Sequence, residues 1–152
     1  MRWEDTLVID APVDVLWSLT ADVQRWPDLT PTMTRVTRLD DGPLRVGSRA
    51  RIKQPGQAEA VWTVTELTEG RGFSWQTRLL GLTMIGSHRL AQVGDGCRNT
   101  LGIEVHGRGA GMFWLVFGAL MRRAVRTENR GFRDAALRVC GKAQEGADHR
   151  HA

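Results

Sequence analysis

The chain has 152 residues, 41% hydrophobic and 25% charged, a balance typical of one soluble globular domain and not of a disordered segment or a disulfide-stapled scaffold. Its net charge of +4 is spread as arginines over every segment, and the aromatic residues do not alternate with them, so we expect no nucleic-acid partner. Cys97 and Cys140 are the only cysteines and lack ligand spacing, so we expect no disulfide, no metal and no cofactor.

The N-terminal third predicts a strand followed by two short helices. Residues 3–9 alternate apolar and polar side chains, the period of a half-buried strand. Pro12 stands where the first turn of a helix tolerates proline. Asp22 is the predicted cap of a second short helix, which we expect Pro27 to end, because proline disfavours helix at the residue before it.

The middle of the chain, residues 32–106, predicts an antiparallel meander. Short runs of alternating apolar and polar residues are separated by turn signals such as DDGP, PGQ, EGRG and GDGC. The parity places Phe73, Trp75, Met84 and His88 on an apolar face, whereas His106 lies on the opposite, solvated face. We therefore expect a sheet that buries one of its two faces.

The C-terminal part predicts one long helix from about Met112 to Cys140, because the apolar period returns to 3.6 residues. We place its apolar stripe on Phe117, Met121, Val125, Glu128, Phe132, Ala135 and Val139. The domain is expected to span residues 1–140, and the polar stretch 141–152 is predicted to be a disordered tail. No segment approaches the ~20 apolar residues of a membrane span. Glu4 and Asp5 stand where a secretion signal would need apolar residues. We expect a cytoplasmic protein without integral membrane association.

Several stretches together resemble a known superfamily. They are VIDAPVDVLWSLTADVQRWPDLTPTMTRV, RVGSRARI, WTVTEL, SHRLAQVGDGCRNTL and the closing helix, over residues 3–138. In this order they resemble the START-like, birch-pollen-allergen-like (SRPBCC) superfamily, and most closely its polyketide cyclase/dehydrase and lipid-transport group. The resemblance implies an α+β helix-grip fold: a curved antiparallel sheet of about seven strands wrapped around a long C-terminal helix, with two short helices after strand one.

The resemblance also implies a cavity between sheet and helix, which members use to bind lipids, sterols, hormones or quinones, to cyclise polyketides, or in regulatory complexes. We favour binding of a hydrophobic or aromatic, lipid-like or polyketide-like small molecule. A polyketide cyclase, aromatase or dehydratase is the first alternative, although the chain has no tyrosine to serve as a phenolic acid. A partner-binding regulatory protein is the second.

Two ionisable residues are the candidates for chemistry. Strand parity puts His88 on the apolar face, where a histidine near its ordinary pKa can act as a general base or bind a ligand hydroxyl. It is equally a core histidine satisfied by its neighbours. Glu128 interrupts the helical stripe, and it either points into the cavity, where it can meet His88, or lies at the stripe edge and pairs with arginine.

Residues predicted to line the cavity share the inward parity of the sheet or the apolar stripe of the helix, or belong to the segment DVQRWPDLTPTM, which we expect to cover one end of the cavity. They are Trp26, Leu29, Met33, Gln54, Trp62, Val64, Phe73, Trp75, Thr77, Met84, His88, Leu101, Ile103, Phe117, Met121 and Glu128.

The start of the long helix, MFWLVFGALM, is apolar nearly all round. It either packs in the core at the mouth of the cavity or forms a dimer or membrane contact, the dimer being a homodimer through residues 112–121. The preceding GRGAG lacks the βαβ context of a phosphate-binding loop and is interpreted as a hinge.

Overall fold

Alternating burial along the chain builds one antiparallel sheet of seven strands in the order β1-β7-β6-β5-β4-β3-β2. The computed structural model describes residues 1–148. The elements are β1 (Arg2–Ile9), α1 (Val13–Ala21), a 3-10 turn (Val23–Arg25), α2 (Trp26–Leu29), β2 (Arg35–Arg38), β3 (Arg49–Lys53), β4 (Ala60–Thr68), β5 (Gly72–Leu79), β6 (Leu82–Val93), β7 (Gly96–His106) and α3 (Ala110–Asp148). The predicted helix-grip architecture, with two short helices after strand one, is confirmed.

Two groups of helical elements cover different parts of the buried face of this sheet. α3 lies against β1 and β7, whereas the 3-10 turn and α2 lie against β2 and place Trp26 over β5. Glycine permits two of these close approaches. A Cβ at Gly131 would lie 2.2 Å from the Leu29 carbonyl oxygen, and one at Gly86 would lie 2.9 Å from Trp75 Nε1. These glycines let α2 approach α3, and let Trp75 lie against β6.

The course of the second short helix differs from the prediction. The Asp22 side chain makes no capping hydrogen bond, and Pro27 lies in the first turn of α2 instead of ending the preceding helix. A proline there loses no backbone hydrogen bond, because the first N–H groups of a helix have no partner inside it. The segment is therefore a 3-10 turn followed directly by one turn of α-helix.

The long helix also exceeds its predicted length, because α3 continues to Asp148. Residues 141–148 of the predicted disordered tail are thus helical, and Gly141 and Gly146 do not end the helix. Lys142, Ala143 and Gln144 are good helix formers, which sequence composition alone understates. Residues 149–152 lie outside the described part of the chain. No helix within residues 1–148 is long and apolar enough to cross a membrane.

Candidate functional site

His88 lies at the centre of an aromatic enclosure on the buried face of the sheet. β6 places it opposite Phe73 of β5, and the two rings stack with centroids 5.1 Å apart. The rings of Trp26 and Phe132 lie 4.7 and 5.9 Å away. The His88 side chain is 5% exposed, and its Nδ1 has no hydrogen-bond partner among the described residues.

Glu128 of α3 approaches His88 from the opposite layer. Its Oε1 lies 3.8 Å from His88 Nε2, and its side chain is only 13% exposed. That distance is longer than a hydrogen bond. The helical phase therefore turns Glu128 toward the sheet, one of the two orientations expected from the sequence.

Burial drives the pKa values of these two groups apart. Loss of solvation lowers the pKa of His88 to about 3. The same cause raises the pKa of Glu128 to about 7, while a hydrogen bond with the Thr32 side chain opposes that rise. Both side chains are neutral under mildly acidic conditions, since charged groups are disfavoured in an apolar enclosure. Near neutral pH the carboxyl is poised to release a proton.

Thr32 connects this pair to the segment between α2 and β2. Its hydroxyl lies 2.9 Å from that of Thr30, which is itself buried and accepts a hydrogen bond from the Thr32 backbone N–H. The segment that carries Trp26 thus also carries a polar contact to Glu128. Movement of this segment would change the surroundings of both titratable groups.

A second buried polar cluster fixes α3 on the sheet. Asn99 Nδ2 donates to Asn129 Oδ1 at 2.9 Å, and Asn129 Nδ2 donates to the backbone and side-chain oxygens of Asp5. Both asparagine side chains are fully buried. The cluster joins β7, α3 and β1. It fixes the helix to the sheet at Asn129, the residue that follows Glu128.

The other predicted cavity residues fall into three groups. Those on β4, β5 and β7, together with Met33, are buried in the core: Trp62, Val64, Trp75, Thr77, Leu101 and Ile103. Leu29, Gln54, Met84 and Met121 are partly exposed, and Gln54 lies in the turn after β3. Phe117 is 46% exposed and packs against Phe113 at the edge of the helix.

The buried face of the helix departs from the predicted stripe at its two ends. Val139 and Phe117 are nearly half exposed, and the inward positions are taken by Trp114, Asn129 and Ala136 instead. The predicted positions between them, from Met121 to Ala135, face the buried side of the helix. Asn99 was detectable because it shares the inward parity of Leu101, but Thr32 carried no sequence signal.

Two surface depressions differ in their relation to the aromatic enclosure. One, of about 490 Å³, is lined by residues of α1 and the β6–β7 turn, including Asp14 and Asp95. The other, of about 420 Å³, is lined by β4, β5 and β6 and reaches Phe73 and His88. No group of three or more potential metal ligands occurs within residues 1–148.

The sequence matches one family of known proteins. The model of a family described as polyketide cyclase/dehydrase and lipid transport matches residues 2–138. The chain belongs to this family. No curated protein matches the chain. The family assignment agrees with the resemblance seen in the sequence.

Solved structures share the fold of this polyketide cyclase/dehydrase and lipid-transport family member at low identity. A hypothetical protein of Helicobacter pylori superposes with a TM-score of 0.77 at 11% identity, covering 90% of this chain and 88% of that one. The di-domain ARO/CYC StfQ of the steffimycin biosynthetic pathway gives 0.74 at 12%, covering 92% and 51%. A START superfamily protein of Mycobacterium smegmatis gives 0.68 at 14%, covering 91% and 98%.

Proposed function

We propose that the protein binds a hydrophobic or aromatic small molecule between the sheet and α3, and that His88 and Glu128 meet the polar end of that molecule. The observation that carries the proposal is the buried pair itself. A buried polar atom without a partner costs about 1–3 kcal/mol, yet His88 Nδ1 lacks one among the described residues and Glu128 is too far from His88 for a hydrogen bond. A ligand hydroxyl or carbonyl would satisfy such groups.

Trp26 determines where that ligand enters. Its ring is fully buried and contacts the rings of Phe73, Trp75, His88 and Phe132. A ligand that reaches His88 from the helix side must displace it. The proposed binding step is therefore an outward movement of the segment 26–33, which exchanges the indole for the ligand.

The proposal is tested with two probes that differ in one polar group, naphthol and methylnaphthalene. Calorimetric titration should give tighter binding of naphthol to the natural chain, because its hydroxyl pairs with His88 or Glu128. In His88→Leu and Glu128→Leu this preference should fall by about tenfold, the loss of one buried hydrogen bond to a polar partner.

The exposed pair on the other face of the sheet supplies the matched control. His106 Nε2 lies 3.0 Å from Glu104 Oε2, and the His106 side chain is 54% exposed. His106→Leu should leave the preference for naphthol unchanged. Failure of both probes to bind, or equal losses in His106→Leu and His88→Leu, would contradict the proposal. Mass spectrometry of the natively purified protein would then identify a retained ligand where one exists.

A cyclase or dehydratase is the second candidate, favoured by the pKa of Glu128. A carboxyl with a pKa of about 7 can donate or accept a proton at neutral pH, whereas a His88 pKa of about 3 leaves the imidazole neutral, as a hydrogen-bond partner for the substrate. The StfQ protein, whose fold this chain shares, is described as an ARO/CYC. Incubation with a synthetic poly-β-ketone thioester should then give cyclised product that both His88→Gln and Glu128→Gln abolish. Product formation that survives both substitutions would remove these roles.

A further inference from the structure

The outward face of the first turns of α3 is apolar and uncovered. Met112, Leu115, Val116 and Leu120 are exposed by 66%, 79%, 61% and 60%. Their spacing places them on one side of the helix, opposite the partly buried Trp114. Contiguous exposed side chains of this size are uncommon on monomers and mark contact surfaces.

The β5–β6 turn adds to this surface. Leu80 at its tip is 92% exposed and has φ +51°, and Gly81 follows with φ +78°. Two-residue turns of this kind favour Asn or Gly at the first position, so a bare leucine there is unfavourable both for conformation and for solvation. A Cβ at Gly107 would lie 2.6 Å from the Gly81 carbonyl oxygen, which shows that the turn abuts the start of α3.

The charges beside these leucines that lack a partner are positive. The β5–β6 turn and residues 107–127 contain no aspartate or glutamate, and the nearby carboxylates of Glu59 and Glu104 are already paired with other side chains. Arg78, Arg108 and Arg123 are exposed there and form no ion pair within the described residues 1–148. The surface is thus an apolar tip bordered by uncompensated guanidinium groups.

We propose that this surface, defined by Leu79, Leu80, Met112, Leu115, Val116 and Leu120, docks on an anionic lipid bilayer. Leucines enter the headgroup boundary, and the arginines pair with lipid phosphates. A second copy of the chain fits less well. A two-fold contact apposes the same patch from both subunits, which would bring two surfaces bordered by arginines together with no carboxylate in either segment to offset them.

Vesicle co-sedimentation tests this proposal without any cavity ligand, so its outcome is separate from that of the binding function. Vesicles of equal parts phosphatidylcholine and phosphatidylglycerol should retain the natural chain, and pure phosphatidylcholine should retain it less. Added salt should release it, because bound arginines are screened. Val116→Gln should weaken binding by about tenfold through lost apolar burial, and Arg123→Gln by about fivefold.

Matched controls come from elsewhere on the surface. Val46 is 59% exposed, close to Val116 at 61%, and Arg138 is exposed near the other end of α3. Val46→Gln and Arg138→Gln should leave vesicle binding unchanged. Leu80→Asn should weaken binding without lowering the melting temperature, since asparagine suits the turn.

Three results would overturn the proposal. The first is no retention by either kind of vesicle. The second is an equal loss of retention in Val46→Gln and Val116→Gln. The third is a concentration-dependent dimer in sedimentation that Val116→Gln dissociates while vesicles retain nothing, which would assign the surface to a second copy of the chain.

Discussion

The first half of α3 exposes most of its large apolar side chains over residues 112–120, whereas the second half buries Phe132, Ala135 and Ala136. Phe132 and Ala136 have no exposed surface, whereas Leu115 and Val116 in the first half are exposed by 79% and 61%. The apolar stretch that dominates the sequence, MFWLVFGALM, is thus the less buried one. Contacts from other elements, and not apolar content, decide which turns of a helix belong to a core.

Three features of the second half explain the difference. Asn129 joins it to β1 and β7 through hydrogen bonds, and Gly131 lets the backbone of Leu29 approach. Phe132 then fills the space beside Trp26, with ring centroids 5.5 Å apart. The ring contact found for residues 112–120 within the described part of the chain, Phe113 with Phe117, lies inside the helix itself.

Removing the ring of Phe132 should have the largest effect on this contrast. Phe132→Ala deletes a fully buried side chain that contacts Trp26 and His88. We expect a loss of about 3–5 kcal/mol in the free energy of unfolding, from lost burial and the remaining cavity. Urea unfolding followed by tryptophan fluorescence measures it.

Phe117→Ala is the matched control, since Phe117 is on the same helix but 46% exposed. It should cost clearly less than Phe132→Ala. Equal losses in the two variants would show that the halves of α3 are packed alike.

Glu128→Gln should give the next largest effect, and the effect should depend on pH. The pKa of Glu128 is about 7 in the folded chain against 4.5 ordinarily, so the folded state binds the proton more tightly. Its contribution to stability is fully present below pH 4.5 and is lost as the pH rises through 7. The variant should gain up to about 3 kcal/mol over the natural chain across this window.

His88 changes in the opposite direction. Its pKa of about 3 against 6.5 means that its contribution is present above 6.5 and is lost as the pH falls toward 3. The two contributions offset each other between about pH 4.5 and 6.5. The quantity to plot against pH is therefore the difference in the free energy of unfolding between Glu128→Gln and the natural chain. A difference that is flat from pH 4 to 9 would mean that Glu128 keeps an ordinary pKa.

Most of the fold followed from the sequence because strand parity is a strict constraint. A strand that buries one face must alternate, so the inward positions of His88, Trp75 and Leu101 could be predicted residue by residue. The inward positions of the helix were harder to predict, because a phase error of one position turns a side chain by about 100°. Asn129 was missed for that reason, and Val139 was placed inward although it is exposed.

Prediction of the candidate site had a different limit. Placing Glu128 beside His88 required the register of α3 on the sheet, which depends on long-range contacts such as Asn129 with Asp5. The aromatic enclosure depended on Trp26, expected as a cover and found fully buried among four rings. Local sequence patterns do not determine how deeply the segment that carries Trp26 inserts between the sheet and α3. The roles of these residues in binding remain predictions.

Asn129→Ala should have an intermediate effect on stability, because it weakens the attachment of the second half of α3 to β1 and β7. It removes the hydrogen bonds to Asp5 and leaves the buried Asn99 side chain without its partner. We expect a loss of about 1–3 kcal/mol in the free energy of unfolding. A double-mutant cycle with Asn99→Ala should show coupling between the two, and strictly additive losses would mean that the amides act independently.

Leu115→Ala should have the smallest effect and completes the comparison. Leu115 is 79% exposed, so truncation removes little surface that folding buries, and alanine is at least as good a helix former. Chemical denaturation should detect a change within about 0.5 kcal/mol of the natural chain. The same truncation at Phe132 costs several times more, although both residues are large and apolar. A loss at Leu115 comparable to that at Phe132 would mean that the first half of α3 is covered in solution, by a second copy or by a movement of the β5–β6 turn.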